Sequence, residues 1–310
     1  MYKKRIVILM CALVILALLA SCGGGSKKLD LRLRLEAGKS YGAKMITDQI
    51  LTQTLAGQTQ TMTQTIGMAY TYEVQSVEPD GTMLVKATYD WVLYKQDGPM
   101  GKVSYDSANP PASVPQAALG YAALVGRGFT MRLKPTGEIV DVQGVDEMIA
   151  QMLDALGVPA GSARDELEAS LRSQFGSEAL KEGFEKAGLF YPDKPVAVGD
   201  SWSRPIALES GVPIVLDTTW TLKARKNGIA TVETRSNVQP NPGAKPLEMA
   251  GMTISYELSG EQTGTTELDE KTGWPVSATI KQNLTGQISA MGMTWPITII
   301  SDIRFEPWKK

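Results

Sequence analysis

Residues 44–76 read KMITDQILTQTLAGQTQTMTQTIGMAYTYEVQS, which is two arms rich in Thr and Gln around Ala56-Gly57-Gln58. Threonine is β-branched and fits a pleated surface, so we predict a long antiparallel hairpin with arms 44–55 and 59–76. The arms carry little charge. Their edges would therefore adhere to other strands unless they were covered.

Strand patterns extend outward from this hairpin. Residues 29–36 alternate leucine with charged side chains, and this period of two predicts a half-buried strand. A third arm, 83–95, follows the turn at 79–81, whose Pro-Asp-Gly sequence pre-sets the required dihedral angles. Residues 129–133 and 138–142 are predicted to form another strand pair.

The middle of the chain changes to the period of a helix. An alanine-rich stretch, 115–125, predicts one helix, and Ser162 and Ser177 are predicted N-caps of two more. The clearest helical pattern is an apolar stripe followed by Gly157 and Pro159, which favour a stop. The stripe consists of Val145, Met148, Ile149, Met152, Leu153 and Leu156.

The chain after Val196 is rich in strand patterns again and repeats its beginning. Three segments correspond in the same order: 38–41 with 199–202, 72–86 with 220–233, and 133–137 with 269–273. Such order indicates an internal duplication, although hairpin turn chemistry alone is the alternative. We predict an α+β fold of two antiparallel β-rich halves, 29–143 and 196–310, with a helical segment, 144–195, between or beneath them.

The N-terminus has the order of a secretion signal. Three basic residues at 3–5 precede a 15-residue apolar run, 6–20, which is shorter than the roughly 20 residues that span a bilayer. Leu19-Ala20-Ser21-Cys22 matches a lipobox. We predict a lipoprotein signal peptide at 1–21, lipid on Cys22 and a flexible tether at 22–28. An ordinary signal peptide that contains a cysteine is the alternative.

Residue 23 is glycine and not aspartate, which favours the outer membrane if the host is Gram-negative. The predicted location is therefore the cell envelope, on the periplasmic face of that membrane. Loss of residues 1–21 removes three positive charges and takes the formal net charge from −2 to −5. A mildly acidic chain of this kind is not expected to bind nucleic acid.

The chain contains no histidine, and its two cysteines are Cys11 in the signal peptide and Cys22. Histidine-based catalysis and the usual zinc sites are thereby excluded, so we predict no enzyme activity, no cofactor and no metal. Residues 38–42 match the Gly-x-Ser-x-Gly pattern of a nucleophile elbow. A strand pattern follows them, and a hairpin corner is the favoured interpretation.

Methionine is the remaining signal for binding. Twelve of the 14 methionines follow Cys22, and flexible thioethers suit surfaces that accept varied apolar shapes. The stripe from Val145 to Leu156 either closes a sheet core or lines an apolar cavity. Its six residues, named above, are the candidate ligand-binding residues, with plain core filling as the alternative.

The lipobox at 19–22, the Gly-x-Ser-aromatic segments at Gly38 and Gly199, and the Asp-Gly and Thr-Gly hairpins resemble an uncharacterised family of bacterial lipoproteins. More distantly, the pattern is similar to the LolA/LolB and mycobacterial lipid-carrier lipoproteins. That resemblance implies a curved sheet or half-barrel over helices, with a cavity for acyl chains. We therefore expect a membrane-anchored protein that binds a lipid or acyl chain without catalysis. The alternative is a structural lipoprotein that docks an envelope protein partner through its sheet.

Overall fold

A computed structural model of the protein describes residues 28–55, 57–99, 101–187, 191–208, 213–243, 247–249 and 252–309. At 185–187, 247–249 and 252 it describes the backbone alone. The predicted signal peptide, Cys22 and all of the tether except Lys28 lie outside these residues. No helix in the described part of the chain combines the length and the apolar composition needed to cross a membrane.

The described residues contain 13 strands in one open antiparallel sheet. The strands are β1 (Ser40–Leu55), β2 (Gln58–Val77), β3 (Met83–Gly98), β4 (Gly101–Asp106), β5 (Gly128–Leu133), β6 (Ile139–Gln143), β7 (Ser201–Ala207), β8 (Ile214–Lys226), β9 (Ile229–Pro240), β10 (Leu247–Met249), β11 (Met252–Asp269), β12 (Pro275–Ala290) and β13 (Met293–Pro307). Their order is β6-β5-β3-β2-β1-β13-β12-β11-β9-β8-β7, with β4 beside β3 and β10 beside β11. Because the first and last strands pair, both halves of the chain form one continuous sheet.

Alternation along the strands gives the sheet two different faces. In β9, Ala230, Val232, Thr234, Ser236 and Val238 are buried, whereas the residues between them are more exposed. Successive side chains of a strand point to opposite faces, so the buried set shares one face. We call this the inner face, since the helices lie on it.

Four helices occur in the described part of the chain. They are α1 (Leu119–Ala122), which follows a 3-10 turn at Gln116–Ala118, then α2 (Val145–Ala155), α3 (Ser162–Phe175) and α4 (Ser177–Ala187). Helix α2 contacts α3 and β5, and α4 contacts α3 and β6, so the helical segment lies against the first half of the sheet. The predicted α+β class, with a helical segment between two β-rich stretches of the chain, is confirmed.

The two halves repeat the same backbone hydrogen bonds where β1 and β7 begin. In the first half they run from Gly38 N–H to Val74 O (2.8 Å) and from Val74 N–H to Lys39 O (3.0 Å); in the second, from Gly199 N–H to Leu222 O (2.7 Å) and from Leu222 N–H to Asp200 O (3.0 Å). A β-bulge follows both Val74 and Leu222. These equivalences support the predicted duplication.

Strand order repeats as well. The meander β1-β2-β3-β5-β6 is matched by β7-β8-β9-β11-β12, and β13 lies between the two meanders. The second half therefore follows the first head to tail across the sheet.

The leucine-rich segment 29–36 departs from its prediction. Leu31, Leu33 and Leu35 are buried as expected, but the segment forms only an isolated bridge between Leu29 and Val196. Two of its other backbone N–H groups donate to carbonyl oxygens of hairpin turns. Leu33 N–H donates to Pro135 O (2.9 Å) and Arg34 N–H donates to Thr272 O (2.7 Å). The segment thus crosses the equivalent hairpin turns of both halves and is not a member of a strand ladder.

Other local predictions also need correction. Ser162 is the first residue of α3 and its N-cap is Gly161, while the alanine-rich stretch gives only the short turn and α1. Strand β4 was not predicted. The Thr- and Gln-rich arms are not edges: β1 pairs with β2 and β13, and β2 pairs with β1 and β3, along most of their lengths. Pairing on both sides removes the adhesive edges that their composition suggested.

Candidate functional site: an uncharged cavity shared by both halves

A cavity of about 510 Å³ lies between the inner face of the sheet and the helices. Strands of both halves, α3, α4 and the segment 29–36 contribute to its wall. This volume falls within the range of about 300–1,000 Å³ that is typical of small-molecule sites. The two halves therefore share one cavity.

The described residues that line the cavity carry no carboxylate, ammonium or guanidinium group, because none is Asp, Glu, Lys or Arg. The chain has no histidine to add an imidazolium. An ion that enters such a space loses its hydration without gaining a group of opposite charge, which costs several kcal/mol. The wall therefore suits uncharged groups.

Aromatic side chains form the part of the wall that belongs to the first half. Tyr70 of β2 faces Tyr89 of β3, with ring centroids 4.7 Å apart. Phe184 of α4 lies edge-on to Tyr70 and Tyr72, at 6.1 and 6.4 Å. Burial raises the pKa of Tyr70, Tyr72 and Tyr89 far above the usual range, so all three hydroxyls stay neutral near pH 7.

The central strands contribute an apolar surface that no helix covers completely. Met45 of β1, Ile280 of β12, and Ile303 and Phe305 of β13 line the cavity and are only half-buried. Side chains of this kind gain free energy when an apolar ligand removes them from water, at about 25 cal/mol per Å².

The mouth of the cavity lies at the junction of α3 and α4. Gln174 and Gly183 line the cavity and are also exposed. Gly183 has an ordinary helical backbone, and a Cβ added to it would meet no atom within 4 Å. A larger side chain at this position would therefore project into open space beside the cavity.

Uncharged polar side chains form the part of the wall on the central strands and the second half. Gln49, Thr218, Gln262, Gln282 and Ser301 line the cavity, and all except Gln49 are buried. The wall thus combines an aromatic part, to which Trp220, Trp274 and Phe305 of the second half also contribute, with a hydrogen-bonding part beside it.

The six residues predicted to bind ligand lie elsewhere. Helix α2 and its C-cap place Val145, Met148, Ile149, Met152, Leu153 and Leu156 in the main hydrophobic core, where the first five are fully buried. None of the six lines the cavity. Their contact with a ligand stays a prediction, and the core-filling alternative describes where they lie.

Sequence reasoning missed most of the cavity wall. The sequence did predict a helix that begins near Ser177, which is α4, but gave no reason to prefer it to α2 as a cavity wall. The missed signal was the alternation of Tyr70 and Tyr72 in β2, with Tyr70 opposite Tyr89 of β3. Large side chains with a polar tip on an inner face are typical of a wall that is not filled by its neighbours.

Other residues noted in the sequence have simple positions. Ser40, in the Gly-x-Ser-x-Gly pattern, is exposed at the first position of β1. Met291 and Met293, at the turn between β12 and β13, are 73% and 55% exposed and lie outside the cavity wall. Among the described residues, no group of three or more Cys, Asp or Glu side chains is arranged to hold a metal ion.

The open antiparallel sheet and the helices together enclose an uncharged cavity. This architecture is that of a β-sheet protein built around a binding-sized cavity. Residues 80–275 match a family model described as a family of unknown function (DUF6263). The chain belongs to that family. The expected membership of an uncharacterised family is confirmed, while the lipoprotein character of that family stays a prediction. No curated protein matches the chain.

A solved structure that describes lipid–protein interactions in lipovitellin has a similar fold. The TM-score is 0.51 at 10% sequence identity, and the match covers 88% of this chain. It covers 25% of the lipovitellin chain, so this protein spans about a quarter of that chain's length. At this identity the likeness concerns the fold alone.

Proposed function

We propose that the protein is a membrane-anchored lipoprotein that binds an apolar or amphiphilic ligand, a lipid or an acyl chain, without catalysing a reaction. The observation that carries this proposal is the uncharged cavity of about 510 Å³ between the two halves and the helices. Half-buried apolar side chains such as Ile303 and Phe305 would be covered by such a ligand.

The N-terminal sequence supports the anchor and the location. A lipobox ending at Cys22, after a short apolar run, is the signal for lipid attachment, and two or three acyl chains hold a protein on a membrane. A glycine at position 23 favours the periplasmic face of the outer membrane in a Gram-negative host. An apolar cavity on an anchored protein would keep a water-insoluble ligand beside the membrane that supplies it.

The fold comparison adds support of a more general kind. Lipovitellin, whose structure describes lipid–protein interactions, shares the sheet architecture over most of this chain. The absence of histidine from the sequence supports the non-enzymatic part of the proposal, since no histidine-dependent base or nucleophile pair is available.

The proposal is tested by narrowing the mouth of the cavity. Gly183→Leu adds an apolar side chain at the mouth without displacing any atom near its Cβ, and leucine has a better helix propensity than glycine. We expect this variant to fold and to lose most of the lipid that co-purifies with residues 27–310 of the wild-type sequence. Native mass spectrometry and mass spectrometry of an organic extract measure the bound lipid.

Ser173→Leu is the matched control, because Ser173 is exposed on α3 and does not line the cavity. It should keep the wild-type amount of lipid. A wild-type protein that carries no lipid after gentle, detergent-free handling, and takes none up from vesicles, would overturn the proposal. So would equal lipid content in the two leucine variants.

A further inference from the structure

One row of polar side chains crosses the inner face. Six residues on six neighbouring strands stand directly opposite one another in the register, each with the next. They are Gln49 (β1), Ser301 (β13), Gln282 (β12), Gln262 (β11), Ser236 (β9) and Thr218 (β8). Directly opposite residues share a face, so we call this set the polar row. Five inter-strand steps of about 4.8 Å make it about 24 Å long.

The polar row is linked in pairs by hydrogen bonds. Gln49 Nε2 donates to Ser301 Oγ (3.2 Å) and Gln282 Nε2 donates to Gln262 Oε1 (3.2 Å). The hydroxyls of Thr218 and Ser236 are 2.8 Å apart. Gln262 and Gln282 are each 5% exposed and Ser301 is 2% exposed, so these groups are largely withdrawn from bulk water.

The rows on either side are mainly apolar. Ile299 and Leu284 are the inner-face neighbours on one side, and Ile303 and Ile280 are the neighbours on the other. The polar row is therefore a narrow band of hydrogen-bonding groups on an apolar wall, and all of its members except Ser236 line the cavity.

Core filling does not account for this band. Buried polar groups cost free energy unless they are paired, and apolar side chains of similar shape would fill the same space at no loss. A carboxamide has two donor hydrogens and two acceptor positions on its oxygen. Each of Gln49, Gln262 and Gln282 makes a single hydrogen bond within the row, so each has capacity left for a group in the cavity.

We infer that the polar row holds the uncharged polar group of a single-chain lipid, an ester, amide or hydroxyl, while the acyl chain lies against the apolar and aromatic wall. This inference rests on the proposed function. The carboxamides of the polar row offer both donors and acceptors. They suit an ester, which only accepts hydrogen bonds, as well as an amide or hydroxyl, which also donates. The absence of charged residues among the described lining leaves a carboxylate or phosphate without an ion-pair partner, and hydrogen bonds alone would have to offset its desolvation.

The test compares three competitors that differ only at the polar end of one chain. 1-Monooleoylglycerol, oleate at pH 9 and cis-9-octadecene are each titrated against Nile red bound to residues 27–310. We expect the uncharged ester to bind roughly tenfold more tightly than either of the others, since it alone gains hydrogen bonds without an unpaired charge. Equal affinity for all three, or tightest binding of oleate, would overturn the inference.

Paired variants separate the row from the rest of the cavity. Gln262→Met with Gln282→Met removes both carboxamides and keeps their length, so the ester should lose roughly tenfold in affinity while octadecene keeps its own. Thr263→Met with Lys281→Met is the matched control, because these residues stand opposite each other on the same strands but on the outer face. It should change neither affinity.

If the glutamine pair prevents folding, Thr218→Val with Ser236→Ala tests the other end of the row with the same readout. An unchanged preference for the ester in a folded row variant would show that the row is structural only. Failure of all three competitors to displace the dye, and of any lipid to co-purify, would overturn the proposed function itself.

Discussion

The hairpins β2–β3 and β8–β9 occupy equivalent places in the two halves but present different chemistry to the cavity. Tyr70 faces Tyr89 in the first hairpin, and Thr218 faces Ser236 at the same register position in the second. The rings of the first pair lie 4.7 Å apart and are tilted by 46°, whereas the second pair shares a hydrogen bond of 2.8 Å.

This difference separates the residues that shape the sheet from those that face the cavity. A bulge follows Val74 and Leu222, which lie four residues beyond Tyr70 and Thr218, and it is common to both halves. The inner-face side chains have diverged around this shared bulge, and β2–β3 has a second bulge between Ala69 and Tyr70 that β8–β9 lacks. A duplicated sheet can therefore give one cavity an aromatic pair at one register position and a hydroxyl pair at the equivalent position of the other half.

The largest effect is expected when the first half is given the side chain of the second. Tyr70→Thr removes a buried ring that lies against Tyr72, Tyr89 and Phe184. Loss of such a side chain leaves a void, and we expect the free energy of unfolding to fall by about 3 kcal/mol. Urea denaturation followed by circular dichroism measures the change.

Tyr70→Phe is the control for this substitution. It keeps the ring contacts and removes only a hydroxyl, which lies 3.1 Å from Met68 Sδ. We expect a loss below about 1 kcal/mol. If phenylalanine destabilises the protein as much as threonine does, ring packing is not what distinguishes the two hairpins.

A smaller effect is expected at the equivalent turns. Gly81 and Gly228 both have a positive φ, 87° and 78°, that alanine adopts at a cost of about 1–2 kcal/mol. A Cβ at Gly81 would lie 2.9 Å from Pro135 Cγ, whereas one at Gly228 would meet nothing within 4 Å. Gly81→Ala should therefore cost about 2 kcal/mol and Gly228→Ala about 1 kcal/mol, measured by the same denaturation. Equal losses would show that the turn against Pro135 is free to shift.

The sequence was sufficient to predict most of the elements. Period-two alternation and turn residues are local signals, and they placed the hairpin of β1 and β2, the third arm and the apolar helix α2 within a few residues. The segment 29–36 was mispredicted because burial of alternate leucines looks the same whether the backbone pairs with a strand or with two hairpin turns. Only the tertiary structure decides where Leu33 and Arg34 find their partners.

The cavity was harder to predict than the fold. Whether an apolar stripe fills a core or lines a cavity depends on which elements face it in the tertiary structure. Helix α2 packs against β5 and α3, whereas α4 contributes residues to the cavity wall. The polar row was invisible for a related reason. Its members come from six strands, and the register that aligns Gln49 with Ser301 joins the two ends of the chain.

The smallest effect concerns two ion pairs, one in each half of the chain. The acidic residue comes first along the chain in one pair and second in the other. Glu78 pairs with Arg132 in the first half, and Arg225 pairs with Glu270 in the second, each at 2.8 Å. The second pair is less exposed, at 26% and 18% against 39% and 38%. Glu270→Gln should therefore cost about 1 kcal/mol at pH 7, and Glu78→Gln should cost less.

The contribution of Glu270 to the free energy of unfolding is expected to depend on pH. The hydrogen bond from Arg225 holds the pKa of Glu270 below its ordinary value of 4.5. A carboxyl whose pKa is lowered by folding stabilises the native state above its unfolded pKa, and that contribution disappears as the pH falls through the folded pKa. The difference in unfolding free energy between wild type and Glu270→Gln should thus be constant near pH 7 and shrink below about pH 4.5. A difference that persists at pH 3 would mean that Glu270 acts through its packing and not through its charge.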